Sequence, residues 1–324
     1  MLDFDFKNIN KIFDDELNKE SVKNVIAISK RLLPLCDNIL NNCSLLSSCT
    51  CNIEINDSFS LAYSYLKDKH PIYYDEIMRM KNGNEIHIAD YPLDNASCDS
   101  YTGEIWLGKN KNILDDLNLI HEFFHHLNLK PLNNGGEENT IARELFGESI
   151  SISSEIDFER SLDISLREDA KKFEVDYIND AIDCAKKIKI EILLVDLYLI
   201  YGKIDKDIIS DFLKNNKDNL VSSTMIDEVD NVIGNISGWG SSLKISFNLK
   251  YVIGIVFGYY LADKISNNYE NWTIIYDLNK NLYNLSFDDV FKKICPSEDL
   301  TELFDCFFSH YKELCMNNEK TTTI

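Results

Sequence analysis

The sequence predicts a mainly α-helical protein with one small β-sheet, and three observations carry that expectation. Apolar residues recur at intervals of three and four through most of the 324 residues, as in "DAIDCAKKIKIEILLVDLYLIYGKI" and "DLTELFDCFFSHYKEL". Five prolines and twelve glycines leave few of the chain breaks that all-β folds need. One stretch departs from the helical period: "NEIHIADYP" and "TGEIWLGKN" alternate apolar with polar residues between Asn, Pro and Gly, as short half-buried strands do.

Composition narrows the class. Hydrophobic residues make up 44% and charged residues 27%, ordinary globular usage that argues against a disordered chain. A net charge of −21 excludes phosphate recognition through a basic surface, so no nucleic-acid partner is expected. The start, "MLDFDFKNINKIFDDEL", lacks the basic and apolar regions of a secretory signal, and no stretch of about eighteen apolar residues follows. The expectation is a cytoplasmic chain with no membrane association. Nine irregularly spaced cysteines suit free thiols, and Cys49 with Cys51 lacks the second pair that a structural zinc site requires.

In chain order, residues 1–80 read as a helical N-terminal part. Residues 81–324 read as the region carrying the chemistry and a helical C-terminal part, the whole forming one compact unit. The strand pattern precedes the helix of "LNLIHEFFHHLNLK", residues 117–130. Gly103 to Lys109 is the strand expected to align an extended peptide along an open edge. Asn112 is the expected cap of the following helix, whose buried stripe runs through Leu117, Ile120, Phe124 and Leu127. A second helix is expected from about Glu138. Further on, the glycine-containing loop Gly238 to Ser242 reads as a candidate lid, and Gly254 with Gly258 lets another helix approach closely.

The histidine helix carries the specific signal. His121 and His125 are one turn apart on one face, a spacing that brings two imidazoles to a single Zn²⁺ at about 2.0 to 2.1 Å. Glu122 lies between them, placed to take a proton from zinc-bound water. With six histidines in the chain, random placement yields an H-E-x-x-H match fewer than about 0.01 times. His126 points about 100° away around the helix and is expected to be solvated or hydrogen-bonded. His70, His87 and His310 stand alone and read as structural.

A catalytic zinc needs a third protein ligand. No histidine lies between residues 127 and 309, so the carboxylates of "GGEENTIARELFGESISISSEIDFE" are the candidates. Glu144, Glu148, Ser151 and Glu155 fall on one stripe of a helix. Glu144 follows His125 after eighteen intervening residues and Glu148 after twenty-two. The shorter spacing is that of aminopeptidase N-like enzymes, and both remain open on spacing.

"HEFFHH" followed by "ESISISSE" resembles the thimet oligopeptidase and oligoendopeptidase F family of zinc peptidases. The resemblance implies a zincin-like core, Glu148 as the third ligand, Ser151 at a hydroxyl position now followed by Ile152, and Glu155 steering a ligand histidine. The related zinc carboxypeptidase motif H-E-S-Q-S-x-x-W-E is matched at Glu148, Ser149, Ser151 and Glu155. "KYVIGIVFG" is similar to the family's tyrosine-rich helix at Tyr251 and Gly258, with Ile253 and Ile255 in place of two tyrosines. It implies Tyr251 as a hydrogen-bond donor to the transition state. The family's histidine before that helix has no counterpart, and Phe124 replaces the glycine of its H-E-x-G-H.

The expected function is zinc-dependent hydrolysis of peptide bonds, with His121, His125 and Glu148 as ligands, Glu122 as base and a peptide or protein as substrate. The alternative is a catalytically degenerate relative that binds such a partner without cleaving it.

Overall fold

The computed structural model describes residues 6–47, 50, 51, 53–93, 96–133, 141–215, 229, 231–234, 236, 248–267 and 271–321. It is mainly helical with one three-stranded sheet. Cys49, Glu138 and the candidate lid Gly238 to Ser242 lie outside the described residues. The fold divides into two compact units, Met1–Asn42 with Ile182–Val252, and Cys43–Ala181 with Ile253–Ile324.

The first unit contains helices α1 (Phe6–Glu16) and α2 (Glu20–Asn42), the second half of α7 (Ile164–Tyr201) and α8 (Lys206–Asn215). Their apolar stripes meet in a core of Ile9, Phe13, Ile190, Leu194, Val232 and Ile233, all nearly or fully buried. Helix α7 ends at Gly202, whose φ of 69° is the left-handed conformation that costs glycine least. The Gly202 N–H donates to Tyr198 O at 2.8 Å. Beyond the turn, Asn10 both donates to Ile204 O at 2.9 Å and accepts from Ile204 N at 2.7 Å.

The second unit opens with α3 (Ser60–Lys69) and α4 (Pro71–Asn82). Pro71 suits a helix start because its missing N–H would have no intrahelical partner there. The strands β1 (Ile86–Ile88), β2 (Ser97–Cys98) and β3 (Ile105–Leu107) follow. Then come α5 (Ile113–Asn133), α6 (Ile141–Ser161) and the first half of α7. From residue 253 onward, α9 (Leu249–Asn267) belongs to this unit, with α10 (Trp272–Asn281), α11 (Phe287–Ile294) and α12 (Leu300–Thr321). Ser286 starts α11 with a reciprocal cap to Asp289.

The two sequence-read strands pair in parallel, Ile86 opposite Ile105 and Ile88 opposite Leu107. The third strand, β2, pairs antiparallel on the other side of β3, Cys98 opposite Ile105. The order is therefore β1-β3-β2. This corrects the expectation for Gly103 to Lys109: β3 is the central strand, with both of its hydrogen-bonding edges occupied, so no peptide can add to it. Among the described residues, β1 and β2 are the outer strands. Ile105 and Leu107 are buried and Trp106 faces out, stacked on His87 with ring centroids 4.0 Å apart.

Helix α5 starts where expected. Asn112 Oδ1 accepts from Leu114 N at 3.0 Å, satisfying one of the free N–H groups of the first turn. Leu117, Ile120, Phe124 and Leu127 are buried, as is Phe123. Full burial of each Phe contributes about 2 kcal/mol. Two buried aspartates tie the first turn to its surroundings. Asp115 accepts from Asn110 N at 2.7 Å, Lys111 N at 3.0 Å and Ser58 Oγ at 2.6 Å. Asp116 accepts from Ala62 N at 2.8 Å in the first turn of α3. Among the described residues, no helix is long and apolar enough to cross a membrane.

Candidate metal centre

Helices α5 and α6 pack closely and run antiparallel, which brings the middle of one against the middle of the other. His121 and His125 project from α5 with their Nε2 atoms 3.1 Å apart. Glu148 on α6 places Oε2 3.5 Å from His121 Nε2 and 3.3 Å from His125 Nε2. These three residues form one of the groups, among the described residues, that could hold a metal ion. Glu144, one turn earlier on α6, is not in that group.

The spacing can be tested against a metal. A tetrahedral zinc with N and O ligands at about 2.0 to 2.1 Å has edges of about 3.3 Å between ligand atoms. The three separations here, 3.1, 3.3 and 3.5 Å, bracket that edge. The donor set is two imidazole nitrogens and one carboxylate oxygen, which suits a divalent metal.

The ligand histidine is oriented from behind. His121 Nδ1 lies 3.0 Å from Glu155 Oε2, and a carboxylate only accepts, so Nδ1 carries a proton and Nε2 is the nitrogen that faces Glu148 and His125. Tyr177 on α7 donates to the same Glu155 oxygen at 2.6 Å. Tyr177 was not legible in the sequence, because no motif surrounds it on a 38-residue helix. Burial, then the Glu155 charge, pushes its phenol well above the ordinary range, so it remains a donor.

Burial also opposes charge on these candidate ligands, but they face each other. At Glu148 the two imidazoles outweigh burial and hold the carboxyl well below its usual range. At His121 the Glu148 and Glu155 carboxylates outweigh burial and hold the imidazole well above its usual value. A buried carboxylate flanked by two imidazoles is a receptor for a cation, either a proton or a divalent metal.

Glu122 is 8% exposed, and its charge acts on His121 and on the Cys98 thiol. Cys98 belongs to β2, an outer strand of the sheet. Burial chiefly, and then Glu122, raises the Cys98 thiol above its ordinary value.

Packing against α9 fixes Glu148 from a third side. A Cβ built on Gly254 would lie 2.4 Å from Glu148 Cβ, and one on Gly258 would lie 2.8 Å from Ile152 Cγ2. The two glycines therefore let α9 approach α6 at the ligand itself. Ile152, which stands where the resembling family has a hydroxyl, fills the notch at Gly258. Ser149 Oγ donates to Ile253 O at 3.2 Å along the same contact. On the α6 stripe Ser151 and Glu155 are buried, while Glu144 and Glu148 are half-buried.

The remaining histidines are engaged elsewhere. His126 is 4% exposed rather than solvated: Nδ1 donates to Gly103 O at 2.9 Å and Nε2 lies 3.2 Å from Glu76, tying α5 to α4 and to the β2–β3 turn. His70 bonds Tyr276 and Tyr65, and His87 lies 3.1 Å from Glu104. His310 lies 3.1 Å from Asp263. Tyr251 sits in the first turn of α9, within the first unit. Cys51 donates to Asp169 O at 3.2 Å.

No protein-family model matches the chain, and neither a curated protein nor a solved structure matches it.

Proposed function

We propose that the chain is a zinc-dependent metallopeptidase with a zincin-like core, a divergent relative of the thimet oligopeptidase and oligoendopeptidase F group. His121, His125 and Glu148 would hold the metal. The observation that carries this reading is the triangle of ligand atoms, 3.1 to 3.5 Å on a side, with a carboxylate and a tyrosine fixing one imidazole from behind.

Bound zinc supplies a Lewis acid that polarises a peptide carbonyl and acidifies water. The residues supply the rest. Glu122 takes the proton of the attacking water and returns it to the leaving amine. Edge strand β2, rather than β3, is the candidate for aligning that peptide.

The experiment is the Glu122→Gln variant, expected to lose peptide cleavage while retaining about one zinc at His121, His125 and Glu148. Full activity in that variant would sink the mechanism.

One observation favours a binding-only reading. The four histidines outside the pair are committed to Gly103 and Glu76, to Tyr65 and Tyr276, to Glu104 and to Asp263, which leaves no imidazole to donate to a transition state. A wild-type protein that holds zinc but turns over no member of a broad peptide library, while retaining a subset of it, would establish that reading instead.

A further inference from the structure

A second cluster of metal-ligating side chains lies outside this site. On α12, Cys306 and His310 are four residues apart and so share one face. Asp263 of α9 meets both. His310 Nε2 lies 3.1 Å from Asp263 Oδ1, and Cys306 Sγ donates to Asp263 Oδ2 at 3.3 Å. One ligand atom from each of the three lies within 4.8 Å of the others.

The other ring nitrogen of His310 repeats a feature of the first centre. His310 Nδ1 lies 4.0 Å from Glu174 Oε2 on α7, as His121 Nδ1 faces Glu155. Glu174 is 6% exposed, and Tyr259 and Glu159 share hydrogen bonds with its carboxylate. An acid in this position is what orients a metal-bound imidazole, whose other N–H turns toward the carboxylate. The ring of Tyr259, fully buried, covers His310 at 4.4 Å between centroids.

Arg160 is the competing charge. It donates to Asp263 Oδ1 at 2.6 Å, and also to Ala262 O at 2.9 Å and Ser266 Oγ at 2.7 Å. The carboxylate has two oxygens, and the one that faces the thiol is Oδ2. Arg160 can keep Oδ1, although its charge makes this the weaker of the two centres.

We propose that Asp263, Cys306 and His310 form a second metal site, of the sulfur, nitrogen and oxygen type that suits zinc, which clips α9 to α12. The inference stands apart from the peptidase reading, since it needs neither Glu122 nor cleavage.

The test uses the full chain. Elemental analysis of protein loaded with zinc should find about two equivalents, and stepwise chelation should remove the second-site metal first. Cobalt(II) loading should add a near-ultraviolet thiolate-to-metal absorption, which a centre made of two histidines and a glutamate cannot produce. Cys306→Ser should remove that band and one equivalent, and His121→Ala with His125→Ala should remove the other equivalent and leave the band. A single equivalent with no thiolate band in the wild-type protein overturns the proposal without needing any variant to fold. A band that survives Cys306→Ser overturns it as well, because another cysteine would then be its source.

Discussion

Gly254 and Glu148 touch across two helices so closely that a methyl group on the first would sit 2.4 Å from the Cβ of the second. The residue with no side chain thus sets the position of the residue with the ligand oxygen. Gly254→Ala is expected to displace Glu148 and weaken zinc binding at least about tenfold, with an overpacking cost of about 1–3 kcal/mol. Gly258→Ala is the control: its clash is with Ile152, so a similar loss of stability should leave zinc affinity nearer that of the wild type. Isothermal titration with zinc, beside thermal melts, separates the two effects.

Tyr177 reaches the candidate centre chiefly through Glu155, at 2.6 Å, with a longer contact of 3.5 Å to His121 Nδ1. Tyr177→Phe keeps the ring and removes the donor, leaving Glu155 to His121 alone. Zinc affinity is expected to fall by about tenfold, the low end of what loss of an outer hydrogen bond costs a metal site. Glu155→Gln should cost at least as much, and the double variant little more than Glu155→Gln alone, since both act along one chain of contacts. Additive losses would show that Tyr177 acts by another route.

Two buried groups should bend the pH dependence of stability in opposite directions. Burial lowers the His70 imidazole to about 4, and since Tyr65 donates to Asp157, His70 must donate to Tyr65 and accept from Tyr276 as a neutral ring. The unfolded chain then binds the extra proton between pH 6.5 and 4, so this residue's contribution is lost as pH falls through that window. Burial raises Asp116 to about 7. There the folded chain holds the extra proton between pH 3.8 and 7, so stability is lost as pH rises. Each effect is on the order of 3 to 4 kcal/mol across its window. Relative to wild type, Asp116→Asn should become more stable with rising pH and His70→Gln less so. Urea titrations at pH 4, 5.5 and 7 read both slopes.

His126 joins three elements, and removing it leaves Gly103 O and Glu76 without their imidazole. His126→Ala is expected to cost about 2–3 kcal/mol, through both the lost contacts and the space left behind. Zinc should still bind to folded protein, because the ring points away from His121 and His125. Loss of zinc in a folded variant would contradict that separation.

Much of this was legible in the chain itself, for local reasons. Asn112, the buried stripe from Leu117 to Leu127, and the pair His121 and His125 depend only on helical period and capping. The alternation in "EIHI" and "EIWL" marks two strands for the same reason. Their pairing was not legible. The parallel register puts β3 in the middle, and its second neighbour is "SC", two residues with no alternation to betray them. Spacing alone could not choose between Glu144 and Glu148, which are one turn apart on one stripe. The choice depends on how α6 lies along α5, and the close approach at Gly254 is a tertiary fact. Tyr177, and the meeting of Asp263 with Cys306 and His310, depend on helices far apart in sequence. His310 on its own reads as an ordinary structural histidine.

Helix α6 is built from residues that form helices poorly on their own. Gly147, Ser149, Ser151, Ser153 and Ser154 alternate with the β-branched Ile150, Ile152 and Ile156. Ser153 and Ser154 spend their hydroxyls on the carbonyl of Ile150, one turn back in the same helix. Such a segment is held helical by what surrounds it, and most of its length from Ser149 to Glu159 is buried. Glu148 is therefore in place only once α5, α7 and α9 have closed around it, so the oxygen that completes the His121 and His125 pair is a late product of folding and not a property of the segment that carries it.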